Sequence, residues 1–103
     1  MNWYKKANIN FISEKIKEQL SSPAYLAQSK PEVGKYYMLA LEGYSNQVIS
    51  FMESWSKEVI YDELSFYKLN KDVNQIIVER LGHGGKSWTK TENGEWIEKE
   101  QLS

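Results

Sequence analysis

An Asn-Gly pair stands between two stretches rich in Trp, Thr and Ile in the segment Lys86-Ser87-Trp88-Thr89-Lys90-Thr91-Glu92-Asn93-Gly94-Glu95-Trp96-Ile97-Glu98. No short signal constrains a fold more, because a two-residue type I′ hairpin turn needs φ > 0 at both central positions. Asn tolerates that conformation and Gly adopts it freely. A β-hairpin turning at Asn93-Gly94 is therefore expected. With a two-residue turn, Thr91 faces Trp96 and Trp88 lies opposite Lys99, so Trp88 and Trp96 fall on opposite faces. A bulge or a longer loop would shift the register and put both on one face.

Upstream, the apolar spacing changes. Ile9, Ile12, Ile16 and Leu20 recur at intervals of three and four, which predicts an amphipathic helix over about 3–20. Ser21-Ser22-Pro23 stops it. Ser22 suits the cap of a short new turn with Pro23 at its first position, running through Tyr25 and Leu26. A second helix is expected over about 31–56, beginning at Pro31 and Glu32. There Tyr37, Leu41, Tyr44, Val48, Phe51 and Trp55 step by 4, 3, 4, 3, 4, a coiled-coil period over less than three heptads. Gly34 and Gly43 cost about 1 kcal/mol each in a helix interior and are read as marking close approach of another helix or a bend.

Residues 57–82 read two ways. As helix, Asn70 caps and Val73, Ile76, Ile77 and Arg80 share a face, with Gly82 following the end. As strands, 66–69 and 75–81 flank a polar turn at 70–72. The Ile-Ile-Val run at 76–78 favours the strand, because consecutive β-branched residues lose rotamer freedom in a helix. The expected architecture is α+β: one domain, 1–103, with two main N-terminal helices packed on a small C-terminal antiparallel sheet.

Composition bounds the chemistry. A chain of 103 residues with four Trp, seven Tyr and three Phe has ample aromatic area for one core. It has no Cys and a single histidine, His83, so disulfides, thiolate metal sites and sites needing two imidazoles from one chain are excluded. No apolar run reaches the roughly 18 residues of a membrane span, and no leader-like segment follows the N-terminus. A cytoplasmic location is expected. Twelve Lys against one Arg, with frequent Asn, Ile and Tyr, fit the coding bias of an AT-rich bacterium or its phage. The net charge of −1 argues against a general nucleic-acid binder.

Gly82-His83-Gly84-Gly85-Lys86-Ser87 ends like a phosphate-binding loop, but Arg80 stands where that motif requires its first Gly, and a strand rather than a helix is expected next. His83 lacks a neighbouring carboxylate in sequence to orient it as a general base. The acids Asp62, Glu63, Glu92, Glu95 and Glu98 have no metal-ligand or catalytic spacing. No cofactor and no metal are expected.

The function expected from these residues is stoichiometric binding of another protein without catalysis, as in an inhibitor, an immunity-type protein or a phage-encoded antagonist of a bacterial protein. Trp88, Trp96, His83, Lys86, Trp3 and Tyr4 are the candidate contact residues, and the exposed sheet edge is a candidate surface. A homodimer through the long helix is a further expectation. The alternative is a nucleic-acid-associated module using Lys5, Lys6, Lys15 and Lys17 with Trp3 and Tyr4. A single Arg counts against it. A small enzyme centred on His83 is the third reading.

Overall fold

The computed structural model describes residues 3–9, 11 and 13–101. Its elements run α1 (Trp3–Lys6), α2 (Glu14–Leu20), α3 (Pro23–Leu26), β1 (Tyr36–Leu41), β2 (Val48–Ser54), α4 (Lys57–Lys68), β3 (Gln75–Arg80), β4 (Gly84–Lys90) and β5 (Trp96–Gln101). The strands form one antiparallel sheet in the order β2-β1-β3-β4-β5. The chain is thus α+β.

The apolar run Tyr36-Tyr37-Met38-Leu39-Ala40-Leu41 explains the layout. Side chains of a strand alternate between two faces, and here both faces are covered. Met38 and Ala40 join Ile76, Val78 and Trp88 under Ile60 and Leu64 of α4. Tyr37, Leu39, Leu41 and Ile77 lie under Ile16 and Leu20 of α2. β1 and β3 are central strands covered on both sides, so β1 and the 76–78 run of β3 are continuously apolar rather than alternating.

This overturns the helix expected over 31–56. The spacing of Tyr37, Leu41, Tyr44, Val48, Phe51 and Trp55 comes from two strands and the loop between them, and Tyr44 is 95% exposed. Asn46, at φ 55°, turns the chain, and the Glu42 N–H donates to the Gln47 carbonyl at 2.9 Å to close the loop. Gly34 sits at φ +89°, a turn conformation that no helix interior holds. Without that helix, a homodimer built along its seam loses its basis.

The helix expected over 3–20 is two pieces. Asn8, at φ 55°, ends the first, and Ser13 caps the second by accepting the Ile16 N–H. Ile12 of the expected stripe lies outside the described residues. Ser22 does cap a turn with Pro23 at its start, accepting the Tyr25 N–H. Pro31 begins no helix and is buried in a loop.

The ambiguous stretch contains one element of each kind. Ser56 accepts the Val59 N–H and starts α4, so 66–69 is the helix's end and not a strand. Gln75–Arg80 is the strand that its β-branched residues favour.

The C-terminal hairpin forms, but its turn is longer by one residue. The Gly94 N–H donates to Thr91 O at 3.0 Å, and the Thr91 N–H donates to Glu95 O at 2.7 Å. Only Gly94 takes a positive φ, +83°, while Asn93 does not. This is a type I turn followed by a left-handed glycine, with Glu92, Asn93 and Gly94 in the loop. The register becomes Trp88 with Glu98 and Lys90 with Trp96. Trp88 and Trp96 therefore share the α4 face, correcting the placement on opposite faces.

Candidate functional site

The two tryptophans of the hairpin are engaged internally. Trp88 is 4% exposed; its Nε1–H donates to Glu98 at 3.1 Å and its ring meets Tyr61 edge-on. Trp96 is half-buried, its Nε1–H donating to the Lys68 carbonyl at 3.3 Å, with the Lys90 ammonium 5.2 Å from its ring centroid. Trp3 and Tyr4 pack edge-on with each other and with Phe11, all three pairs of ring centroids being 5.6–5.7 Å apart. His83 is exposed in the β3–β4 turn and lines one cavity with Lys86. The six candidates therefore fall in three separate places.

The lysines of the alternative reading divide. Lys15 donates to Asn46 and Gln75, and Lys17 lies 4.5 Å from the Tyr4 ring centroid and 3.9 Å from Glu14. Lys5 and Lys6 are exposed.

The feature that sequence reasoning missed is β2. It is an outer strand, hydrogen-bonded on one side to β1. Among the described residues, no backbone group of Val48–Ser54 bonds to anything beyond the β1 ladder. None of its residues is buried, although Val48, Ile49, Phe51 and Met52 are apolar. A one-residue bulge at Ile49 bends the Val48 end, leaving Ser50–Ser54 in straight register with Ala40–Tyr36. Trp55, just past the strand, is 58% exposed. The signal was available in the β-branched pair Val48-Ile49 and the turn-forming residues 43–47, but the helical spacing masked it.

A cavity of about 380 Å³ opens beside this edge, lined by Tyr25, Gln28, Ser29, Phe51, Met52 and Glu53. Glu53 is its anchor. Its carboxylate accepts from Tyr25 Oη at 2.6 Å, Ser29 Oγ at 3.2 Å and Lys35 Nζ at 2.9 Å. Burial pushes the Glu53 carboxyl up, but the hydrogen bonds from Tyr25 and Lys35 outweigh it and hold the carboxyl below its ordinary value. Burial first, and then the bond to Glu53, raises the Tyr25 phenol far above its usual range. The hydrogen bond that Lys35 itself donates to Glu53 raises the Lys35 ammonium. These groups fix α3 and the 29–35 loop against β2, so the cavity wall is held in place. Phe51 stacks on Tyr37 and meets Tyr25 edge-on.

Among the described residues, no three His, Asp or Glu side chains gather as metal ligands, and no helix is long and apolar enough to cross a membrane. Comparison with known proteins finds no matching family model, no similar curated protein and no similar solved structure.

Proposed function

We propose that this chain is a non-catalytic binding domain that engages another protein stoichiometrically, taking an extended segment of the partner as a sixth strand along Ser50–Ser54 of β2. The observation that carries the reading is the open edge of β2, whose one charge, Glu53, is held by Tyr25, Ser29 and Lys35, flanked by exposed Trp55 and the Tyr25–Glu53 cavity. Strand addition draws affinity from main-chain hydrogen bonds and specificity from side-chain pockets beside the edge. An exposed aromatic next to the edge suits an interface anchor.

The test is a charge placed where an added strand would bury it. Ser50 shares the α4 face with Ala40, its register partner. In Ser50→Lys the ammonium would have to be desolvated by any incoming strand. The variant should fold as the wild type does. A partner recovered from the source cells with wild-type bait should titrate to a fixed ratio, and Ser50→Lys should weaken it at least about tenfold, or about 1.4 kcal/mol. Full retention of binding in Ser50→Lys defeats the strand-addition reading. Complete inactivation of the partner by sub-stoichiometric protein, abolished in His83→Ala, would make the chain an enzyme.

A further inference from the structure

Three cations converge from three elements on one cavity of about 320 Å³ beside the β3–β4 turn: Lys57 at the first position of α4, Arg80 at the end of β3 and Lys86 on β4. This happens in a chain of net charge −1. Among the described residues, no carboxylate lies within ion-pair distance of Lys57 or Arg80. Each sits instead by a tyrosine ring, Lys57 5.6 Å from the centroid of Tyr61 and Arg80 5.6 Å from that of Tyr36. Arg80 uses Nε to bond the Gly34 carbonyl at 3.1 Å, which orients its remaining guanidinium N–H groups. Lys86 has only a long pair with Glu98, at 3.6 Å.

Two local features oppose stability here. Lys57 places a positive charge at the positive end of the α4 dipole, where an acid would be favoured. Gly84 and Gly85 stand side by side within a strand, which weakens it. A Cβ on Gly85 would lie 2.6 Å from the Val78 carbonyl oxygen, so the close approach of β3 and β4 beside the cavity requires glycine there.

We infer that this cavity binds a small phosphorylated molecule of about mononucleotide size. The cations supply charge-assisted hydrogen bonds to phosphate oxygens, and Tyr36 and Tyr61 offer walls for an attached ring. The volume is at the low end for ligand pockets. Glu100 at its rim and Glu98 beside it on β5 would repel an extended polyanion, which favours a small ligand over nucleic acid. The site shares no residue with β2, so it stands or falls independently of the strand-addition reading.

The test is amide NMR of the full chain titrated with AMP, adenosine, inorganic phosphate and a single-stranded oligonucleotide. AMP should move the amides of Arg80 and Gly84–Lys86. Inorganic phosphate should do so more weakly, and uncharged adenosine should not. Lys86→Gln and Lys57→Gln should each weaken AMP at least about fivefold, the loss of one charge-assisted bond. Lys57→Glu should raise the ligand-free melting temperature while losing the further rise that AMP gives the wild type. No movement at about 10 mM AMP overturns the site, since that concentration would detect even millimolar affinity. Shifts indifferent to both lysine variants overturn it as well. Phosphate binding as tightly as AMP, or the oligonucleotide binding more tightly per phosphate, overturns the mononucleotide-sized ligand.

Discussion

The two edges of the sheet follow opposite rules. β5 presents Glu98, Lys99 and Glu100, all exposed, in alternating sign, the charged blocking by which proteins keep sheet edges from pairing. β2 presents Val48, Ile49, Ser50, Phe51 and Met52, with its first charge at Glu53, and that charge is turned into a hydrogen-bond network. The inner attachments differ as well. Beyond its ladder to β4, β5 is held by Glu98 against Trp88 and by half-buried Trp96 against the end of α4, whereas β2 is held by Phe51 against two tyrosines and by Glu53 against α3 and the 29–35 loop. On the proposed reading, the open apolar edge of β2 is suited to pairing, and the charged edge of β5 is protected from it.

Truncating one apolar side chain on each edge gives the largest contrast. Phe51→Ala should destabilise the fold by about 3 kcal/mol, at the low end for aromatic truncation because the ring is only half-buried. Ile97→Ala on β5, at 59% exposure, should stay within about 0.5 kcal/mol. Urea denaturation midpoints of the two variants decide it, and equal losses would erase the difference in seating.

The acid limb of stability sharpens the same contrast. Glu53 has a carboxyl depressed below its ordinary value, so its contribution is present above the unfolded range and lost as pH falls through the folded value. Glu53→Gln should cost about 2 kcal/mol at neutral pH, in the range for hydrogen bonds to a charged group. That deficit should shrink steadily once pH drops below about 4.3, the ordinary Glu value. Lys35, whose ammonium is raised, works in the other direction: its contribution is full below its unfolded range and lost as pH rises through the folded value. Denaturation curves at a series of pH values check both signs. A constant deficit down to the acid transition would remove Glu53 from the anchoring of β2.

On the β5 side the turn sets the register of the ladder to β4. Gly94 sits at φ +83° with nothing within 4 Å of an added Cβ, so a substitution meets backbone strain and no clash. Gly94→Val should cost about 1–2 kcal/mol, the strain of a β-branched residue in the left-handed region. An unchanged thermal midpoint would mean that β5 is dispensable to the fold.

Turn chemistry made this end of the molecule legible in sequence, while the other end was misread. The Asn-Gly pair announced the C-terminal hairpin, and the shift of one residue arose because Gly94 alone takes the positive φ. The β-branched run 76–78 announced β3. β1 and β2 were hidden because β1 is buried on both faces, which removes the alternation that marks a strand, and because the residues along β1, the loop and β2 happen to recur at helical intervals. Gly34, Gly43 and Asn46 carried the correct signal, since each is a turn residue placed inside the supposed helix. Of the candidate site residues, Lys86 and His83 were found in sequence beside a cavity, but Arg80 and Lys57 reach it only through tertiary structure. The open edge of β2 follows from strand order, which no local pattern encodes.

The smallest effect on stability comes with the most direct test of edge protection. Lys99 is exposed and lies opposite Ser87 on the face away from α4. Lys99→Val removes one blocking charge and adds a β-branched residue, so the fold should change by no more than about 0.5 kcal/mol. Its association should change instead: sedimentation velocity at rising concentration should show self-pairing of β5 that the wild type lacks. Ser50→Lys should leave that pairing intact, because it blocks the other edge. If the wild type already sediments as a dimer and Ser50→Lys dissociates it, the strand that pairs with β2 belongs to a second copy of this chain. A Lys99→Val protein that remains as monomeric as the wild type would show that charge is not what keeps β5 unpaired.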